Sequence, residues 1–279
     1  MAIFRPRDLW PHCHDYLHIG LKLVRRSEQT EPNMPEGPSI VLAKEAMQFL
    51  VDKKIVNANG SSKKVDYGRL PGTKIKSFKT FGKHLLICFK GYTLRVHFLM
   101  FGSFAIDEPK AGRIPRLALT FSGKHALYLY ACAIVTIDEP LNKVYDWSKD
   151  VMNDKWNSRK ASLALKRRPT MLVTDALLNQ EIFAGVGNII KNEVLFRIRL
   201  HPKSEVGNIP PGKRRELMRE VVNYSFQFLG WRREFTLKKH WQAYAKKKCP
   251  RDKIDLIKEY LGTSKRRTFY CPQCQKLYG

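Results

Sequence analysis

Pro35 followed at once by Glu36 stands in Met34-Pro35-Glu36-Gly37-Pro38, a stretch that reads as a translation start although 33 residues precede it. Were Pro35 the first residue, its secondary amine would lie free beside a carboxylate. Such an amine attacking a sugar C1′ gives an iminium with no N–H to lose, a fixed cation that favours elimination. An α-amino group titrates near ~8, so a nucleophilic fraction exists at neutral pH without special tuning. The bland alternative is that Pro35 and Pro38 only punctuate a loop before a helix. Residues 1–33 mix Trp10, three histidines and the pair Arg25-Arg26 with Asp8, Asp15, Glu28 and Glu31, which suits neither a signal peptide nor a transit peptide. They are read as an upstream extension, a start placed too early or a removable leader; while attached, it makes the Pro35 nitrogen a non-nucleophilic amide.

Two further groups of residues could do chemistry. In Gly185-Val186-Gly187-Asn188 a glycine-tight turn brings Asn188 to the start of a helix, where unpaired N–H groups favour a phosphate; an ordinary interhelical turn is the alternative. Cys271-x-x-Cys274 has a bite suited to tetrahedral Zn²⁺, with Cys249 a third thiolate and Asp252 where a second C-x-x-C would place cysteine. A reduced, metal-free hairpin is the alternative. A disulfide framework fits poorly with six cysteines in a large basic chain, and Cys88 and Cys132 read as core residues.

The partner follows from charge. With 51 Lys+Arg against 25 Asp+Glu, the net charge of +26 points to a polyanion, nucleic acid first, although charge alone does not separate a binder from an enzyme. No run approaches the ~20 apolar residues of a membrane span. The 43% hydrophobic content over 279 residues supports a real core and two domains.

The elements that must position these residues fall in two halves, an α+β arrangement. Apolar spacing predicts a helix from Ile40 to Val51. Short β-branched and aromatic runs at Lys74–Phe81, His84–Phe89, Tyr92–Met100, Ile114–Phe121 and Ala126–Ile137 predict an antiparallel β-sandwich. The polar stretch from Asp138 to about Arg168 reads as a connection. Beyond it, Thr174–Phe183, Asn188–Arg199 and Pro211–Leu229 read as helices, and the tail as a β-hairpin. The boundaries expected are 34–150 for the β domain, 151–245 for the helical domain and 246–279 for the hairpin.

These landmarks in this order resemble the formamidopyrimidine-DNA glycosylase/endonuclease VIII family of bifunctional DNA repair glycosylases. The resemblance runs from Met34 to Gly279 and rests on Met-Pro-Glu-Gly-Pro, Gly82-Lys83, the Asn179–Asn188 helix–two-turn–helix and the Arg266-Arg267-Thr268-Phe269-Tyr270-Cys271-x-x-Cys274-Gln275 tail. It implies a β-sandwich domain, a helical domain with a β-hairpin zinc finger, and damaged double-stranded DNA as partner. It further implies Pro35 as the nucleophile, Glu36 as general acid/base, and Lys83 on a phosphate beside the lesion. Asn188 and Arg266 become phosphate clamps, His97 a backbone contact and Met100 the residue that fills the vacated stack, a core methionine being the alternative for the last. Zn²⁺ would be held by Cys249, Asp252, Cys271 and Cys274.

Ser39 stands where many relatives have glutamate, and Tyr128-Leu129-Tyr130-Ala131-Cys132 where the 8-oxoguanine type carries Asp-Pro-Arg-Arg-Phe-Gly. This leans the resemblance to the endonuclease VIII side and oxidised pyrimidines, with β,δ-elimination at the resulting abasic site. An 8-oxoguanine or formamidopyrimidine enzyme is the alternative, and a non-catalytic zinc-finger DNA-binding protein is the reading if residues 1–33 stay attached. A monomer, cytoplasmic and nucleoid-associated if bacterial, is expected.

Overall fold

The computed structural model describes residues 35–279; Met34 and the expectations for residues 1–33 lie outside the described residues. The chain forms two compact units. The first comprises Leu42–Thr80 and Leu85–Pro140; the second comprises Pro35–Val41, Phe81–His84 and Leu141–Gly279. These borders differ from the expected ones. Two short segments of the N-terminal half belong with the helices, and the C-terminal hairpin is not a unit of its own.

In the first unit the strands are β1 (Ile55–Asn59), β2 (Ser77–Phe81), β3 (His84–Cys88), β4 (Thr93–Ile106), β5 (Leu117–Phe121) and β6 (Ala126–Ile137). They form one sheet in the order β1-β5-β6-β4-β3-β2. Where the runs of Val, Leu and Phe predict a sandwich of two sheets, the hydrogen bonding is continuous across all six strands. Burial of Leu85, Leu86, Ile87 and Cys88 in succession shows that β3 is nonetheless covered on both faces. Strand β1 escapes the sequence pattern because only Ile55 in Ile-Val-Asn-Ala-Asn is buried.

Strands β4 and β6 pair in register from Thr93↔Ile137 to Phe98↔Cys132, and again from Ser103↔Tyr130. Residues 99–102 therefore bulge against Ala131 alone. Gly102 sits where a Cβ would lie 2.7 Å from Phe98 Cβ, so the bulge closes too tightly for a side chain there. Leu99, Met100 and Phe101 are thrown outward, 50%, 49% and 64% exposed. The core-methionine alternative for Met100 is thereby removed, while His97 stays half-buried within the paired part of β4 opposite Ala133.

Helix α1 (Gly37–Met47) begins in the second unit and ends in the first. The second unit holds α2 (Leu141–Val144), α3 (Ser158–Lys166), α4 (Val173–Leu178), α5 (Asn188–Arg197) and α6 (Pro211–Arg233), followed by the antiparallel hairpin β7 (Ile257–Leu261) and β8 (Arg266–Tyr270). Its core gathers Leu165, Val173, Leu177, Phe183, Ile190, Val194, Leu217, Val221 and Phe228. Helix α3 lies inside the stretch read as a polar connection, since only Ala161 and Leu165 of it are buried; the Asn157 side chain starts it by accepting the Lys160 amide at 3.0 Å. The hairpin packs Phe269 with Phe196, Tyr244 and Leu256. Among the described residues no helix is long and apolar enough to cross a membrane.

Candidate active site at the start of a buried helix

The first turn of any α-helix presents N–H groups without intrahelical partners. At α5 the residue before the helix is Gly187, which has no side chain to cap them. Glu36 does so instead: its Oε1 accepts the Ile189 amide at 2.7 Å and its Oε2 the Ile190 amide at 3.2 Å. A Cβ on Gly187 would lie 2.3 Å from the Glu36 Cδ, so glycine there is what lets the carboxylate in. Glu36 is 1% exposed.

Three glycines bring the segments together. The Gly37 amide donates to Gly185 O at 2.8 Å, and a Cβ on Gly37 would approach Gly185 Cα to 3.1 Å. Gly82, at φ +53°, turns the β2–β3 hairpin with its Cα against Gly185, where a Cβ would meet the Gly185 nitrogen at 2.8 Å. The hairpin tip is held by buried Asp150, whose Oδ2 accepts the Gly82 amide and Oδ1 the Met152 amide, each at 3.0 Å. Burial pushes the Asp150 carboxyl up to about 6.

Lys83 is thereby fixed next to Gly82 and within the field of Glu36. Burial pushes the Glu36 carboxyl up, while the Lys83 charge and the amides of Ile189, Ile190 and Gly187 pull it back. For Lys83, burial pushes the ammonium down, Glu36 opposes that, and Arg266 adds to it. Pro35, Glu36, Lys83, Asn188 and Arg266 all belong to the second unit. His97 and Met100 belong to the first.

The far side of α5 grips the hairpin. Arg267 O accepts from Asn188 Nδ2 at 3.0 Å, Asn192 Nδ2 at 3.3 Å and Lys191 Nζ at 3.4 Å; Asn192 Oδ1 accepts the Phe269 amide at 2.7 Å. Asn188, expected on a phosphate, thus spends one amide donor on the hairpin backbone and is 4% exposed. Lys191 is fully buried, donates to Thr268 Oγ1 at 2.8 Å, and is lowered to about 7 by that burial. Glu193 accepts the amides of Gln242 at 2.9 Å, Ala243 at 2.9 Å and Tyr244 at 2.7 Å, anchoring the approach to Cys249. Lys191, Glu193 and Asp150 were missed in the sequence. Asn188, Lys191 and Asn192, polar residues at i, i+3 and i+4 on one face of a helix whose Ile, Val, Leu and Phe lie in the core, were the available signal.

Cys249, Asp252, Cys271 and Cys274 place one ligand atom each within 4.8 Å of one another. Cys249 Sγ lies 3.8 Å from Cys274 Sγ and 3.4 Å from Asp252 Oδ2. A tetrahedron of thiolates at a bond of about 2.3 Å has edges of ~3.8 Å, so the donor set fits a four-coordinate metal. The Asp252 amide points at Cys249 Sγ, 3.4 Å away, and Gln275 ties the second knuckle by accepting the Cys271 amide at 2.8 Å and donating to Leu200 O at 2.8 Å.

Residues 34–131 match the formamidopyrimidine-DNA glycosylase N-terminal domain, and residues 148–224 its H2TH domain. Endonuclease 8-like 3 of Xenopus laevis is 32% identical over 233 residues, 80% of this chain and 38% of that protein. Endonuclease 8-like 2 of Mus musculus is 35% identical over 197 residues, 65% of this chain and 57% of that protein. The chain thus spans roughly two fifths to three fifths of these relatives' length. Wild-type Lactococcus lactis Fpg in complex with DNA containing an oxidised pyrimidine is similar in fold, with a TM-score of 0.77 at 21% identity, covering 87% of this chain and all of that one.

Proposed function

Because this chain belongs to the formamidopyrimidine-DNA glycosylase/endonuclease VIII family, we propose that it is a bifunctional DNA glycosylase and abasic-site lyase acting on oxidised bases, pyrimidines ahead of purines. The observation that carries this reading is the Glu36 carboxyl, buried on the Ile189 and Ile190 amides directly after Pro35 and facing the Lys83 charge. A carboxyl raised by burial is suited to deliver a proton.

The damaged base is extruded from the duplex, at least cost where it pairs poorly. The Pro35 nitrogen, free once nothing precedes it, attacks C1′; the glycosidic bond breaks and the base leaves with a proton. Glu36 protonates the ring oxygen O4′, the C1′–O4′ bond opens, and an iminium forms. Loss of the C2′ proton to this electron sink expels the 3′ phosphate. A further proton loss at C4′ expels the 5′ phosphate, and water releases Pro35. Lys83, Arg266 and the second amide donor of Asn188 would hold phosphates without reading sequence. Met100, at the exposed bulge, would fill the vacated stack, with His97 on the backbone. Zn²⁺ on Cys249, Asp252, Cys271 and Cys274 would contribute folding energy to the hairpin and no chemistry.

The test is borohydride trapping on an abasic duplex together with the mass of the trapped chain. A covalent adduct on a chain beginning at Pro35, lost in Pro35→Gly, supports the reading. An adduct on a chain that retains residues ahead of Pro35, or undiminished trapping by Pro35→Gly, sinks it in favour of another amine. Faster release of 8-oxoguanine than of thymine glycol would favour the purine-directed alternative, and no adduct at all a non-catalytic binder.

A further inference from the structure

We propose that the groove between α3 and α6 is a second nucleic-acid site, taking a single strand by its phosphates and base faces. This goes beyond the reaction above and uses none of its residues. The groove encloses about 700 Å³. Exposed Arg159 and Lys166 of α3 and Arg215 and Arg219 of α6 line it, and none of the four has an acidic partner among the described residues.

Charge on this face is of one sign. Helix α3 carries no acid, and the two acids of α6 are engaged elsewhere, Glu216 by Lys213 at 2.6 Å and Glu220 by Arg197 at 3.0 Å. Arg215 and Arg219, one helical turn apart, repel each other unless an anion lies between them. Other cations of the unit do have acidic partners, as Lys149 has Glu181 and Lys203 has Glu259.

The floor is apolar. Half-buried Trp156 packs one side of its ring toward Phe183, centroids 5.9 Å apart, and lines the groove together with Met218. Guanidinium forks above a Trp–Met floor match a strand, whose phosphates and bases separate to opposite edges. A carboxylate-rich peptide would satisfy the guanidinium forks but bring no regular series of aromatic faces to the floor. The α6 lining runs from Pro211 to Asn223, about 18 Å at 1.5 Å per residue. That accommodates roughly five stacked nucleotides at ~3.4 Å each.

The test measures binding of a labelled, lesion-free oligothymidylate to the full chain as salt is varied. Arg215→Ala/Arg219→Ala should weaken it by about tenfold or more at low salt and make the log–log salt slope shallower by roughly 1.4, two phosphates at ~0.7 each. Borohydride trapping on a short abasic duplex should change less than twofold. Lys63→Ala/Lys64→Ala, an equal loss of charge in the other unit, should leave oligothymidylate binding within twofold. Oligonucleotide binding by the groove variant equal to that of the parent overturns the proposal, as does loss of polyglutamate capture with the oligonucleotide retained. Absence of trapping in the parent chain would instead count against the lyase reading and leave the strand measurement standing.

Discussion

Glu36 Oε1 lies 2.7 Å from the Ile189 amide, a contact made across 153 residues of chain. It substitutes a distant carboxylate for the cap that Gly187 lacks, and so couples the start of the described chain to the helix–two-turn–helix.

Gly187→Ala is therefore expected to be destructive. Its Cβ would overlap the Glu36 carboxyl at 2.3–2.5 Å. The overlap should cost about 1–3 kcal/mol of stability and displace Glu36. Gly230→Ala, in helix α6 with nothing within 4 Å, should instead be neutral or stabilising by up to ~1 kcal/mol. Denaturant midpoints of the two variants decide; equal effects would remove the argument.

Glu36→Gln keeps the volume but turns an NH₂ toward one of the two amides, at a cost of about 1–3 kcal/mol. If the protonated carboxyl acts on the sugar, the parent rate falls as pH rises through its raised titration. The variant should be slower and lack that alkaline limb. A pH–rate profile of the same shape in both would exclude Glu36 as the proton donor.

Lys191 sets a stability trend with pH. Its ammonium ordinarily titrates at 10.5, and burial in the fold lowers it to about 7. Between these values the unfolded chain binds more protons, so stability should rise with pH across that window, by at most ~1.4 kcal/mol per unit, and the penalty is complete below pH 7. Lys191→Met should flatten the rise while keeping the methylene packing. Chemical denaturation at pH 7, 8 and 9 reads it, and an unchanged slope would contradict the assignment.

Removing metal should loosen the hairpin. A chelator is expected to lower the melting temperature, expose Cys249, Cys271 and Cys274 to thiol reagents, and weaken DNA binding through Arg266, with one equivalent of zinc released. Asp252→Cys, which completes a four-thiolate set, should tighten retention. A chain purified with no bound metal and with thiols protected equally before and after chelation would refute a metal-held finger.

Elements with strong period were legible from the residues: Asn188–Arg197 and Pro211–Arg233 follow apolar spacing, and β3 and β6 their runs of aliphatic and aromatic residues. Pro35, Glu36, Lys83 and the Cys/Asp set were picked out because their chemistry is local to short motifs. Helix α3 and strand β1 were missed because burial of one or two side chains leaves no pattern to read.

By itself, then, the sequence determined which groups are available: a proline beside an acid, a glycine-marked lysine, and a Cys/Asp quartet under a large positive charge. The tertiary structure decided what each one faces. Glu36 reaches the amides of α5 only because Gly37, Gly82 and Gly185 let three backbones meet without side chains between them. Asn188 and Lys191 turn toward Arg267 and Thr268 because a buried polar group must find a partner, and those partners lie 79 and 77 residues away.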